Sequence, residues 1–255
     1  MTDRASTSKL GIHVYGLATF TLGAIQLAWG DFAFLWHPVQ PGVPYRSALA
    51  YVVAVCVIAA GIAVQWRRTA RFGLVLSAVL YTLAACLWLP RVIGYPRIFG
   101  TWGGFNEQFV LAVAAVVGYA SLDHGAAPDE ARSAARDMLI GRALFGVCLM
   151  ILGIVHFTAL AQTAAMVPAW IPPGPRFWAV ATGLAMLLAG VAILARVQAT
   201  LAARMFTVLI GSFAAVIWIP RILAEPRGHV AWAGTAITVA MAGAGWMVAD
   251  ATVPR

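Results

Sequence analysis

The sequence predicts an all-α integral membrane protein of eight transmembrane helices, arranged as two parallel four-helix bundle repeats. Three observations predict it. Apolar runs averaging about 20 residues, long enough to cross a hydrocarbon core of about 30 Å, recur from end to end. Hydrophobic residues make up 62% of the chain and charged residues only 10%, too few to clothe a water-soluble surface of this size. The string LWLPRVIGYPRIFGTW at 87–102 returns as IWIPRILAEPRGHVAW at 217–232, an offset of 130 residues.

The elements follow in order. The run 10–30 has basic flanks at Arg4 and Lys9 but no small-residue cleavage site, and further spans follow it, so it is read as a retained first helix. Runs 47–65, 72–90 and 102–122 complete the first half, with Pro90 ending the third helix because its ring removes a backbone donor. Runs 138–160, 177–194, 203–220 and 231–249 form the second half, and Pro220 ends the seventh helix in the same way. Barrel strands are excluded, since they need only about 10 residues and strict alternation.

The polar stretch SLDHGAAPDEARSAARD at 121–137 separates the halves, which gives a first repeat at 1–122, a cytoplasmic linker at 123–137 and a second repeat at 138–255. The offset is ungapped: it pairs Gly16 with Gly146, Gly23 with Gly153, Pro38 with Pro168, Trp88 with Trp218, Pro96 with Pro226 and Trp102 with Trp232. Four helices, an even number, separate equivalent positions, so the halves share one orientation.

Basic residues set that orientation. Arg4, Lys9, Arg67, Arg68, Arg71, Arg132, Arg136, Arg142, Arg196, Arg204 and Arg255 fall on one side, and Arg46, Arg91, Arg97, Arg176, Arg221 and Arg227 on the other. By the positive-inside rule both termini face the cytoplasm. The outer face then holds six arginines against the carboxylates Asp31, Glu107 and Glu225.

Two readings of those arginines stand side by side. Arginines next to Trp88, Trp102, Trp218 and Trp232 suit a membrane-interface anchor. Converging guanidinium groups also suit a lipid headgroup, a quinone-type oxygen or another anionic ligand, with Arg91, Arg97, Arg221 and Arg227 as the binding set, beside Gln26 and Glu225. Asp31, Glu107 and His156 are the candidate acids and bases if the protein is instead a membrane enzyme acting on a lipid-like substrate. A transporter fits less well, because the cytoplasmic halves of the helices carry few polar residues.

Other chemistries find little support. Cys56, Cys86 and Cys148 lie in apolar helices without a C-x-x-C pair, and the five histidines show no i,i+3 or i,i+4 pairing, so no metal is expected. Nucleic-acid binding is not expected, since the positive charge is spread over both sides of a membrane.

The segment TAAMVPAWIPPGPRFWAVATGLAMLLAGVAIL at 163–194, with His156–Phe157 before it and IWIPRILAEPRGHVAW after it, resembles the DoxX-like family of four-helix membrane proteins, here as a tandem duplication. The resemblance covers about 140–250; the first half carries LWHPVQPGVP at 35–44 in place of the Pro–Trp loop, and tryptophans stand where other members have a histidine before Pro-Arg. It implies a redox-associated subunit of the plasma (inner) membrane, contact with a quinone, and a membrane or periplasmic oxidoreductase as partner.

Overall fold

The computed structural model describes residues 10–33, 35–122 and 128–252. Arg4, Lys9, His124 and Arg255, used above for topology and the linker, lie outside the described residues. Among the described residues all regular structure is helical: α1 Leu10–Trp29, α2 Arg46–Val64, α3 Ala70–Cys86, α4 Leu89–Gly94, α5 Phe99–Ser121, α6 Pro128–Thr158, α7 Leu160–Met166, α8 Pro175–Ala195, α9 Ala199–Phe213, a π-turn Ala214–Trp218, α10 Ile219–Ala224 and α11 His229–Thr252.

The long helices pack around a ring in the order α1, α2, α3, α5, α6, α8, α9, α11 and back to α1, with α5 and α11 also touching across the middle. Composition explains who sits inside. The least apolar spans are α1 and α11, and 56% and 72% of them are buried, whereas α2, the most apolar, is 33% buried. Surfaces facing lipid must be apolar, while surfaces facing protein are free to be small or polar.

Seven helices among the described residues are long and apolar enough to cross a membrane. The run predicted at 102–122 corresponds to α5, which is not among the seven because Asn106, Glu107 and Gln108 dilute its apolar character. That trio is accommodated inside the protein: Asn106 and Gln108 are buried, and Asn106 Nδ2 donates to Cys148 O of α6 at 2.7 Å.

Glycines set the tightest approach. A Cβ on Gly190 of α8 would stand 2.5 Å from Gly146 O of α6, and one on Gly153 of α6 would stand 2.7 Å from Gly183 O of α8. The two backbones therefore meet at small residues seven positions apart, a membrane packing mode in which dispersion replaces the hydrophobic effect.

The two repeated prolines do not end helices as predicted. Pro90 is in the first turn of α4 and Pro220 in the first turn of α10, where a missing N–H costs least. The backbone upstream adjusts in opposite ways. Before Pro90 the ladder tightens, with Leu87 N–H shared between Leu83 O and Ala84 O and Trp88 N–H bonding to Ala85 O, three residues back. Before Pro220 it loosens, with Ile219 N–H reaching Ala214 O five residues back, which makes the π-turn.

The predicted linker also differs in its second part. Residues from Pro128 onward are helical, so α6 carries a polar extension ahead of its apolar span. Proline in the first turn, Asp129 and Glu130 at the positive helix end, and an Arg132–Asp129 pair at 3.3 Å all favour helix there. Of the cysteines, Cys86 is exposed on the bundle surface, whereas Cys148 is buried.

Gly190→Ala is expected to destabilise the protein by about 1–3 kcal/mol, because its methyl meets backbone that cannot rotate away. Denaturant unfolding in mild detergent, with Gly42→Ala in open space as the reference, measures the difference.

Candidate functional site

Gly100, Gly103, Gly104 and Glu107 follow the i, i+3, i+4, i+7 spacing of a single helix face on α5. That face lines a cavity of about 570 Å³ whose far walls come from α6, α8, α9, the π-turn and α11. The glycines leave room, and Glu107 supplies the carboxyl. His156, in the last turn of α6, lines the same space, as do Thr182 of α8, Phe213 at the end of α9 and Trp218 of the π-turn.

The loop between α1 and α2 closes one side. Trp36 lines the cavity, its ring 5.5 Å from that of Trp218 at 63°, and its carbonyl accepts the Trp88 indole N–H at 2.9 Å. Trp36 and Glu107 both line this cavity. Trp88 and Trp218 are wedged in the same way: a Cβ on Gly104 would meet the Trp88 ring at 2.4 Å, and one on Gly234 would meet Trp218 at 2.7 Å.

Hydrogen bonds fix the character of the site. His156 Nδ1 lies 2.8 Å from Leu152 O, a group that only accepts, so Nδ1 carries the proton and Nε2 of the neutral ring is an acceptor. Glu107, whose carboxyl lines the same cavity, also presents oxygen lone pairs. The cavity therefore joins two hydrogen-bond acceptors to apolar and aromatic walls.

The other predicted residues are placed elsewhere. Asp31 does not line this cavity; it forms an ion pair with Arg46 and accepts the Phe32 backbone N–H at 2.6 Å. Burial alone would raise the Asp31 carboxyl, but the Arg46 hydrogen bond, the Phe32 N–H and the Arg46 and His229 charges together hold it below the ordinary range. Arg91 and Arg221 stack on Trp88 and Trp218, each with its guanidinium 5.1 Å from the ring centre, so they brace two cavity walls without lining the cavity themselves. Arg97, Arg227 and Glu225 are exposed. Gln26 is fully buried beneath the loop, its Nε2 3.1 Å from His37 Nδ1.

Sequence reasoning missed Trp36, Thr182 and the α5 glycines. The spacing of Gly100, Gly103, Gly104 and Glu107 was a readable signal for the glycines; nothing in the sequence ties Trp36 to Glu107, 71 positions away. No group of three or more metal-ligating side chains occurs among the described residues.

Comparison of the chain with known protein families, with curated proteins and with solved structures gives no match. The fold and composition define an integral membrane protein of all-helical architecture.

The Asp31–Arg46 pair gives a pH expectation. The carboxyl is held low in the folded state, so its stabilisation is complete above the ordinary carboxylate pKa and is lost as pH falls through and below it. Asp31 is 42% exposed, which limits the pair to about 0.2–1 kcal/mol. Limited proteolysis of the 30–45 loop should accelerate below about pH 4 in the native protein. In Asp31→Asn the loop should be cleaved faster at neutral pH, with a weaker acid dependence.

Proposed function

We propose that the protein is a redox-associated membrane binding protein that takes an apolar, hydroxyl-bearing molecule of the bilayer, of the quinol class, into the cavity between α5 and the second half of the chain. The observation that carries this reading is that Glu107 and His156 come from different halves to one apolar cavity of about 570 Å³. A volume of that order suits a small-molecule site. Acceptors at Glu107 and His156 Nε2 suit a ligand that brings its own O–H donors, and four tryptophans, Trp36, Trp88, Trp178 and Trp218, offer flat faces to a ring.

In this reading the arginines are wall supports for the ligand site and carry the interface-anchoring role as well. The chain is a tandem DoxX-like duplication with eight spans, α5 included, in parallel four-helix repeats. Recurrence at 130 residues supports this: α4 and α10 keep the offset end for end, and Trp102 and Trp232 donate to Pro96 O and Pro226 O at 3.0 and 2.8 Å. Both termini are cytoplasmic, the tryptophan-rich end faces outward from a plasma membrane, and an oxidoreductase partner supplies or removes the electrons.

A catalytic version has one specific observation behind it: a carboxyl and an imidazole facing the same dry space are the material for acid–base work on a lipid-like substrate. His156 Nε2 would take the hydroxyl proton.

The test is a titration of purified protein with decylubiquinone and with its hydroquinone, read by tryptophan fluorescence. Saturable quenching is expected, with the hydroquinone bound about tenfold more tightly, from roughly one hydrogen bond to a charged or strongly polar acceptor. His156→Ala and Glu107→Gln should erase that preference, and Val155→Phe, which fills the cavity, should remove binding of both forms. Quenching that fails to saturate, or that is the same in all variants, overturns the reading.

A further inference from the structure

The first half of the chain encloses its own cavity, of about 630 Å³, between α1, α2, α3 and the 30–45 loop. Its wall is assembled from positions that the other cavity also uses 130 residues on: Leu22 and Leu152, Pro38 and Pro168, Leu83 and Phe213. The loop divides the two spaces, because Trp36 lines one and the adjacent His37 lines the other.

The two cavities differ in hydrogen-bonding sense. His37 Nδ1 faces the Gln26 amide nitrogen at 3.1 Å, and that N–H donates to it, so the neutral ring carries its proton on Nε2. Burial, with the nearby His229 adding to it, pushes His37 down to about 4, which keeps the ring neutral. Arg91 lines the same cavity, its guanidinium 5.1 Å from the Trp88 ring centre, and brings a permanent positive charge to it. This cavity thus has a guanidinium and a neutral imidazole in its lining, where the other has a carboxyl and a histidine acceptor.

The floor is different again. Thr19, Ser77 and Tyr81 carry hydroxyls, but those of Thr19 and Ser77 bond to Tyr15 O and Gly73 O, and the Tyr81 hydroxyl pairs with that of Thr19. With these bonds made, the floor presents carbon to an occupant. It lies about 14–15 Å below the loop end of α1 and α3, at 1.5 Å per residue from Thr19 to Trp29 and from Ser77 to Cys86. Leu49, Leu83 and Leu87 line the cavity and are exposed on the bundle surface, so it opens sideways to the bilayer.

We infer that this cavity is a second, separate ligand site, for a single-chain amphiphile with a carboxylate head, held at Arg91 and His37 with its chain running down to Thr19, Ser77 and Tyr81. An apolar shaft with a guanidinium at one end selects an anionic acceptor head on an aliphatic tail. The site does not depend on the quinol reading of the other cavity.

The experiment uses dodecanoate bearing a terminal diazirine, photolysed with the full-length protein in detergent, followed by mapping of labelled peptides. Label is expected around Thr19, Ser77 and Tyr81, competed by unlabelled dodecanoate. It should fall about tenfold in Arg91→Gln, from the lost charge-assisted hydrogen bond. Ala84→Phe, which fills the shaft without touching the mouth, should abolish it, and Val155→Phe, which fills the other cavity, should leave it in place. Thermal unfolding of each variant confirms that loss of label is not loss of fold. A probe with the same chain and a phosphocholine head should label the floor weakly. Label spread over the outer helix faces alike in every variant overturns the proposal, as does equal labelling by both probes that Arg91→Gln leaves unchanged.

Discussion

Asn106, Glu107 and Gln108 in succession on α5 constrain the rest of the molecule. Lipid offers no hydrogen bonds, so a helix carrying three such side chains must turn them inward or line a cavity with them. Each of the three points in a different direction, because successive residues on a helix are about 100° apart. α5 is therefore surrounded by protein, packing against α3, α6 and α11, and Glu107 is left facing the one side where the neighbours stand back. The Gln108 amide is fully buried and has no hydrogen-bond partner among the described residues, a cost of roughly 1–3 kcal/mol carried at the centre of the bundle.

That cost is met by close packing elsewhere. The glycine pairs Gly146–Gly190 and Gly153–Gly183 bring α6 and α8 into backbone contact, and Gly104 and Gly234 seat the Trp88 and Trp218 rings against α5 and α11. Rigid rings wedged on rigid helices make walls that do not collapse into the spaces beside them. The same tryptophans carry Arg91 and Arg221 on their faces, so the anchoring of arginine at the loop end and the shaping of the cavity are one arrangement seen from two sides.

Repetition of sequence did not bring repetition of chemistry. Gln26 and His156 occupy equivalent positions 130 residues apart, yet Gln26 is turned to His37 of the loop and His156 to the carbonyl of its own helix. Pro90 and Pro220 are equivalent too, and the backbone before one tightens while the backbone before the other widens into a π-turn. The π-turn sets Trp218 into the larger set of walls around His156.

By itself the sequence determined the helical membrane class, the place of each long apolar helix though not the polar start of α6, and the internal offset of 130 residues, because these follow from local quantities: apolar run length, proline, glycine and charge along the chain. It also nominated Glu107 and His156, since polar groups inside apolar runs stand out in one dimension. Only the tertiary structure decided that these two meet while Asp31 is spent on Arg46, that the arginines support tryptophans beside a cavity, and that Trp36 and His37 face different spaces. The physical reason is that such facts depend on which helix faces converge across long sequence separations, and on where small residues let them converge, which no local pattern encodes.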